Sequence, residues 1–149
     1  MAYLVDTNIL VRLANTDDAL YPAASRAVLE LHRRGETLYL TAQNLVEFRS
    51  IATRPAASNG LGLKPSKAEA KAAGFEAEFP LLAETPDIYP LWKEIVVALA
   101  VVGKQVHDAR LVAVCHAHHV THLLTFNVPH FSPLASFGPG ITVVDPANV

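Results

Sequence analysis

The sequence predicts an α/β protein with a parallel sheet covered by helices on both faces, and two observations lead to this prediction. Short β-prone segments alternate along the chain with longer segments of helical apolar spacing. The chain has 149 residues, of which 51% are hydrophobic and 17% charged, enough apolar material for one sizeable core. No repeat or long linker divides it. We therefore expect a single domain over residues 1–149, with ligands bound at the carboxyl ends of the strands.

Four β-prone segments are expected to form that sheet. They are Tyr3–Val5, Thr37–Leu40, His122–Phe126 and Ile141–Val144. Each is followed by polar or turn-forming residues, and the stretch between the second and third is long enough for several helices. Asp6 comes directly after the first strand, at its junction with a helix.

Capping residues and helix breakers set the expected helix bounds. The predicted helices are Asn8–Ala14, Ala23–Arg34, one from the Thr41 cap through Arg54, one opened by Ser66, Ile88–Val102, and one from Val106 to about His119. Pro22 suits the first turn of the second helix, and Gly35 follows its basic end. Thr41 is a capping residue for the third helix, which Pro55 would end.

The later helices have similar signals. Ser66 and Glu69 have capping-box spacing, and they follow an irregular segment, Ala56–Pro65, that we expect to be a loop and a place for substrate discrimination. Asp87 is expected to cap the next helix and Gly103 to end it.

Several protein classes are disfavoured by the composition. The longest apolar stretch, Ile95–Val102, is far below the roughly 20 residues needed to cross a bilayer, and the N-terminus lacks a basic region followed by an apolar signal core. The single cysteine, Cys115, has no internal disulfide partner, and its apolar neighbours indicate a buried, unreactive thiol. We predict a cytoplasmic protein without a membrane partner.

The formal net charge of −2 gives no overall attraction to a polyanion such as nucleic acid. Local positive charge is still available from Arg12, Arg49, Arg54 and Arg110. Their placement in the fold decides whether a nucleic acid is held.

Three acidic residues stand in apolar surroundings at places where a shared site would form. Asp6 follows the first strand, Glu47 lies between apolar residues on a helix, and Asp108 begins another helix. Each has an ordinary explanation: Asp6 and Asp108 suit helix caps, and Glu47 suits a solvated position or an ion pair with Arg49 or Arg54. Because carboxylates in apolar contexts are costly without a cation, a shared divalent metal explains all three together.

Four motifs in order strengthen this interpretation. They are Leu4-Val5-Asp6-Thr7-Asn8-Ile9-Leu10, the helix of Glu47, Val106-His107-Asp108-Ala109-Arg110-Leu111, and Leu123-Leu124-Thr125-Phe126-Asn127-Val128-Pro129-His130-Phe131. Together they resemble the motifs of PIN-domain ribonucleases, most closely the VapC-type toxins of bacterial toxin–antitoxin pairs. The resemblance extends from Tyr3 to Val144 and implies a three-layer α/β/α fold with a central parallel sheet of four to five strands.

The resemblance also implies chemistry. Such proteins cut RNA by hydrolysis with Mg²⁺ or Mn²⁺, which gives metal-ligand and catalytic roles to Asp6, Glu47 and Asp108. Hard cations of this kind prefer oxygen ligands. Thr7, Asn8 and Thr125 are expected to donate or accept hydrogen bonds that orient the carboxylates. We predict RNA contacts for Arg12, Arg49 and Arg110.

The fourth motif departs from many relatives, which have an acidic residue where this chain has Asn127. An amide oxygen still ligates a metal directly or through water, but it removes one negative charge. Asn127 is therefore predicted as an auxiliary catalytic residue, with a plain turn residue before Pro129 as the alternative.

Two other residue groups have alternative interpretations. The histidines His116, His118, His119 and His122 suggest a zinc site or, more simply, a helix end where imidazoles suit the dipole. The apolar residues of Ile88–Val102 cover more of the helix surface than a single core-facing side requires, which indicates core packing or an interface. The resemblance implies a homodimer and a small antitoxin as partners.

Two other functions compete with the ribonuclease. One is a degenerate PIN-like module that only binds partners, with Asn127 marking lost activity. The other is an aspartyl-phosphate phosphatase with Asp6 as nucleophile, although such enzymes have a second Asp where this chain has Asn8.

Overall fold

A four-stranded parallel sheet forms the centre of the protein. The computed structural model describes all residues, 1–149. The strands are β1 (Ala2–Val5), β2 (Thr37–Tyr39), β3 (His122–Leu124) and β4 (Thr142–Val144), in the order β2-β1-β3-β4. Every neighbouring pair is parallel, with Leu4 of β1 opposite Tyr39 and Leu123. The predicted fold class and the four predicted strands are confirmed.

Seven helices cover the two faces of this sheet. They are α1 (Thr7–Leu13), α2 (Tyr21–Arg33), α3 (Ala42–Thr53), α4 (Pro65–Glu78), α5 (Ile88–Ala98), α6 (Gln105–Ala117) and α7 (Val128–Ala135). Successive strand residues point to opposite faces, so Tyr3 and Val5 of β1 join the core under α1 to α4, whereas Leu4 joins the core under α5 to α7. The result is the three-layer α/β/α arrangement.

Helix α3 begins as its sequence predicts. The Thr41 hydroxyl accepts the backbone N–H of Asn44 at 3.1 Å, and the Asn44 side chain accepts the backbone N–H of Thr41 at 2.9 Å. This reciprocal capping box fixes the direction in which α3 leaves β2. Consequently Glu47, in the second turn of α3, has a defined position relative to the sheet.

Two predicted helix bounds are wrong. Helix α4 begins at Pro65 after Lys64, without a side-chain cap, so the Ser66 and Glu69 pattern does not form the predicted capping box. Helix α5 ends at Ala98 rather than Val102, because Ala100 adopts a left-handed conformation with φ of 51°. The N–H of Val101 then donates to the Val96 carbonyl at 3.0 Å, which closes the helix in a Schellman motif.

Helix α7 was not predicted at all. It directly follows the fourth motif and contains Pro129 in its first turn and Pro133 in its interior. Proline at the first turn is compatible with a helix, whereas an interior proline normally opposes one. Burial of Phe131 and Leu134 against the α6 side of the sheet supplies the stabilisation that local propensity lacks.

The segment between α3 and α4 is folded back onto the end of α3. It contains a short 3₁₀ turn, Ala56–Ser58, and its Leu61 N–H donates to the Ile51 carbonyl at 3.1 Å. A Cβ atom on Gly60 would lie 2.0 Å from the Arg54 carbonyl oxygen, so this position accepts only glycine without a backbone shift.

None of the helices combines the length and the apolar character that a membrane span requires.

Candidate functional site

Asp6 stands at the carboxyl end of β1, where it caps helix α1. Its backbone N–H donates to the Leu124 carbonyl at 3.0 Å, which places the residue beside the end of β3. Its Oδ1 accepts the backbone N–H of Thr7 at 2.7 Å, and its Oδ2 accepts the hydroxyl of Thr125 at 2.7 Å. The residue is only 6% exposed. Helix capping and membership of a shared site are therefore compatible roles for this residue.

Thr125 connects Asp6 to the fourth motif. Its hydroxyl oxygen accepts the Asn8 side-chain amide at 3.1 Å and the backbone N–H of Asn127 at 2.9 Å. The Asn8 side-chain oxygen in turn accepts the backbone N–H of Phe126 at 3.3 Å. These contacts hold the first and fourth motifs against each other at the sheet edge.

Glu47 projects from α3 toward the same place, and hydrogen bonds reach both of its carboxylate oxygens. The Thr7 hydroxyl donates to Oε2 at 2.7 Å, and the Gln43 side-chain amide donates to Oε1 at 2.9 Å. Thr7 thus bridges the first and second motifs, because it follows Asp6 and contacts Glu47. Thr7 and Thr125 donate directly to acidic side chains, whereas Asn8 contacts Thr125 and no carboxylate.

Two residues that orient this site were not identified from the sequence. The Asn44 side-chain amide donates to the Thr7 hydroxyl at 3.1 Å, and Asn44 is fully buried. Gln43 donates to Glu47 and also to the His107 carbonyl, at 2.9 Å in each case. The spacing of Thr41 and Asn44 signals the capping box, but nothing local indicates that the Asn44 amide reaches α1.

Asp108 lies in the first turn of α6 and is partly buried. Burial raises the pKa of its carboxyl group, and the nearby Glu47 carboxylate adds to the increase, whereas His130 and His107 oppose it. Burial likewise raises the pKa of Asp6 to about 7, against the hydrogen bonds from Thr125 and Thr7, and the charges of Asp108 and Glu47 raise it further. The three carboxylates therefore interact through space.

A cleft of about 720 Å³ contains these groups. Its lining includes all four predicted catalytic residues, Asp6, Glu47, Asp108 and Asn127, together with Thr7 and Asn8. None of the three carboxylates forms an ion pair with a cationic side chain. Repelling carboxylates without a cationic partner are the situation that a divalent ion relieves, and all the donors are oxygen atoms, so the residues fit Mg²⁺ or Mn²⁺.

The carboxylates are nevertheless not drawn together tightly. No three carboxylate, imidazole or thiol groups are grouped closely enough to hold an ion by themselves. A cation bound here would consequently keep water molecules among its ligands, as Mg²⁺ commonly does with one or two carboxylates.

The predicted RNA-contacting arginines separate into two groups. Arg12 lines the cleft, where it pairs with Asp18 at 2.8 Å. Arg49 pairs with Glu69 of α4, and Arg110 pairs with Glu84 at 2.6 Å, and neither lines the cleft. Acidic partners on neighbouring segments hold these two side chains away from it.

Arg54, by contrast, lines the cleft and makes only one weak side-chain contact, to the Ser50 hydroxyl at 3.5 Å. It lies at the end of α3 beside the folded-back segment that contains Gly60. Arg54 therefore presents a cationic group to the cleft, and the sequence identified it only as one of four nearby arginines.

The histidines near the end of α6 and the single cysteine contact different parts of the protein. His118 contacts the Ala83 carbonyl and His122 the Thr121 hydroxyl, each at 2.7 Å. Cys115 is fully buried, and burial raises the pKa of its thiol to about 12, which disfavours the nucleophilic thiolate.

The comparisons with known proteins agree with this geometry. The sequence matches the PIN domain family over residues 3–129. No significant similarity to a curated protein sequence was found.

Several solved structures share the fold over nearly the whole chain. VapBC-1 from nontypeable Haemophilus influenzae has a TM-score of 0.71 at 15% identity and covers 98% of each chain. A toxin–antitoxin complex from Klebsiella pneumoniae has a TM-score of 0.65 at 20% identity, with 99% of each chain covered. VapC20 from Mycobacterium tuberculosis, a sarcin–ricin loop cleaving toxin, has a TM-score of 0.64 at 20% identity and covers 87% of this chain and 93% of that chain.

The family match includes the first three motifs and the fourth as far as Pro129, and the structural similarities show that the VapC-type fold extends through the chain. Both findings confirm the resemblance that the motifs indicated. The chain belongs to the PIN domain family.

Proposed function

We propose that this chain, as a single domain, is a metal-dependent endoribonuclease and the toxin component of a type II toxin–antitoxin pair. The cleft is the observation that carries the proposal: three carboxylates, from the end of β1, from α3 and from α6, line one space without a cationic partner. PIN family membership and the similarity to a sarcin–ricin loop cleaving toxin support RNA as the substrate.

In this proposal Asp6, Glu47 and Asp108 hold Mg²⁺ or Mn²⁺. The ion supplies an activated water molecule and offsets the negative charge that develops on the phosphate. Thr125 and Thr7 hold the carboxylates of Asp6 and Glu47 in place through the hydrogen bonds described above. No covalent intermediate on the protein is required.

Asn127 has the role of an auxiliary ligand or substrate contact. It precedes α7, but its side chain makes no capping hydrogen bond, while its backbone N–H donates to Thr125. The side chain lines the cleft. These observations favour a site role over the plain turn role, because a turn residue of this type normally uses its side chain on the local backbone.

An RNA cleavage assay with and without a chelator tests the proposal. The purified protein should cut single-stranded RNA in the presence of Mg²⁺ or Mn²⁺, lose activity with EDTA, and recover it when the ion is restored. Cleavage that is unaffected by the chelator, or no cleavage of any RNA in either metal, would contradict it.

The placement of the arginines gives a matched pair of variants. Arg54→Ala is expected to weaken RNA binding about tenfold, because it removes a cation that lines the cleft and has only one weak contact. Arg49→Ala is the control, since its side chain pairs with Glu69 outside the cleft, and it should change affinity by less than about twofold. Binding is measured by fluorescence anisotropy of labelled RNA at several salt concentrations. Equal losses of RNA affinity for the two variants would show that Arg54 has no special role in RNA binding.

We further propose a second copy of the chain and a small antitoxin as partners. The similar toxin–antitoxin complex from Klebsiella pneumoniae supports an antitoxin. Helix α5 and the turn after it support a protein interface, since Val97 is 71% and Val102 74% exposed while Ile88 and Ile95 fill the core. Core packing therefore explains the buried apolar residues of this region but not the exposed valines.

The phosphatase alternative receives less support from the site. Asn8 occupies the position of the expected acid–base residue, and both ends of its amide are engaged, with Thr125 and with the Phe126 backbone. The degenerate-module alternative predicts that calorimetric titration with Mn²⁺ detects no site-specific binding that Asp6→Asn abolishes. The ribonuclease proposal predicts such binding.

A further inference from the structure

A second, smaller pocket lies beside the cleft and has a different character. It has a volume of about 260 Å³ and lies between α5 and the start of α6. Its lining consists of Tyr89, Trp92, Val106, His107 and Arg110. Two aromatic rings, one aliphatic residue and two basic side chains thus surround a space next to Asp108. We propose that this pocket binds an unpaired nucleobase of the RNA substrate by stacking, an inference that rests on the ribonuclease function proposed above.

The aromatic side of the pocket is held in a fixed orientation. The Trp92 indole N–H donates to the Val106 carbonyl at 2.7 Å, which fixes the ring against the first turn of α6. The Tyr89 ring lies 5.6 Å from it at an interplanar angle of 31°. Tyr89 is nevertheless 64% exposed. A prearranged aromatic pair with one exposed and one partly buried ring can stack on any base, because every base has a π face.

The polar edge of the pocket favours a nucleotide over an apolar peptide side chain as the occupant. Arg110 borders the pocket, and its guanidinium is held by Glu84 at 2.6 Å and by the Gln43 side-chain oxygen at 3.3 Å. The Glu84 carboxylate offsets the charge of Arg110, so the match is one of shape and polarity: a nucleobase offers a flat ring to the aromatic pair and polar edge atoms to the guanidinium. An apolar side chain uses only the first.

The pocket and the cleft are connected through Gln43 and through two consecutive residues of α6. The Gln43 amide donates to the Glu47 carboxylate and to the His107 carbonyl, at 2.9 Å in each case. His107 lines the pocket, and the next residue, Asp108, lines the cleft. A base held against Trp92 therefore belongs to a nucleotide close to the phosphate at the carboxylates. Since a paired base cannot leave its stack without cost, the pocket selects cleavage sites in unpaired RNA.

Trp92 is the only tryptophan of the chain, so its fluorescence reports on this pocket alone. The experiment uses the full chain with Asp6→Asn, so that RNA is bound without being cut. It compares a ten-nucleotide single-stranded RNA, the same RNA annealed to its complement, and the same strand with abasic positions. Anisotropy of a label on the RNA measures binding in parallel. Single-stranded RNA should quench Trp92 over the same concentrations that change the anisotropy, and the duplex and abasic strands should not.

Substitutions complete the test. Trp92→Leu and Tyr89→Ala should each weaken binding of single-stranded RNA about tenfold, whereas Trp92→Phe, which keeps a stacking surface, should stay within about threefold. Tyr89→Ala also serves if Trp92→Leu fails to fold, because the Tyr89 ring is largely exposed.

Other results would overturn the inference. Binding with unchanged Trp92 fluorescence would reject the stacking pocket and leave the ribonuclease proposal intact. The absence of any RNA binding would reject both. A loss of self-association or antitoxin binding in the Trp92→Leu and Tyr89→Ala variants, with unchanged RNA affinity, would assign the pocket to a protein partner.

Discussion

The Asp108→Asn variant is expected to fold normally and to cleave RNA at least about a thousandfold more slowly than the parent protein. Asp108 is partly buried beside Glu47, and burial and that neighbouring charge raise the pKa of its carboxyl group. Its carboxylate has no ion-pair partner within the protein, so its negative charge contributes little to the fold. The amide has nearly the same shape but removes the charge that a divalent ion requires.

Initial rates of RNA cleavage and circular dichroism spectra together check this expectation. Glu69→Gln is the matched control, because it neutralises an acidic residue that pairs with Arg49 outside the cleft, and its rate should stay within about twofold of the parent. A folded Asp108→Asn protein that cleaves RNA at the parental rate would exclude Asp108 from the site.

The metal-free protein is expected to lose stability as the pH rises from about 4 to 7. Burial raises the pKa of Asp6 to about 7 from an ordinary value of 3.8. Between those values the folded protein binds a proton that the unfolded chain has released, so the free energy of unfolding decreases with increasing pH and levels off above pH 7. The change is expected to be of the order of a few kcal/mol. Adding Mg²⁺ or Mn²⁺ above pH 7 should restore stability, because the ion binds only the folded, ionised site.

Chemical denaturation of the parent and of Asp6→Asn at each pH measures this effect. The quantity to compare is the difference between the two proteins, since burial lowers the pKa of His116 and of His122, which changes stability in the opposite direction. When no metal is present, the free energy of unfolding of the parent relative to the variant should decrease as the pH rises from about 4 to 7, and the variant should be the more stable protein near pH 7. Identical pH profiles would show that the Asp6 carboxyl group is not perturbed.

The parts of the fold that sequence patterns specify are those with local causes. Asp6 follows a strand with three buried apolar residues, and Thr41 precedes a helix in which its capping partner, Asn44, comes three residues later. Both strand–helix junctions can therefore be predicted from the sequence. The end of α5 cannot be predicted in this way, because the residue with the left-handed backbone conformation is Ala100 rather than a glycine or an asparagine. Helix α7 depends on burial of Phe131, which overrides the local effect of Pro133.

The candidate site likewise combines features with local causes, which sequence patterns predict, and features with long-range causes, which they do not. The positions of Asp6, Glu47 and Asp108 follow from motif order and from parallel strands whose carboxyl ends meet at one edge. The hydrogen bonds that fix them depend on long-range contacts, such as that from Asn44 of α3 to Thr7 of α1. The directions of the arginines depend on acidic partners from distant segments, as Arg49 with Glu69 illustrates. Sequence patterns therefore indicate which groups form the site, and tertiary packing decides how they are oriented.

Anomalous diffraction from a crystal of the protein soaked in Mn²⁺ is the most direct test of the central claim, that three distant carboxylates serve one divalent ion. We predict one anomalous peak in the cleft, with oxygen atoms of Asp6 and Asp108 among its nearest protein atoms and Glu47 bound directly or through water. The peak should disappear in crystals of the Asp108→Asn variant. A cleft without a peak at saturating Mn²⁺, or an ion held by other residues, would contradict the account.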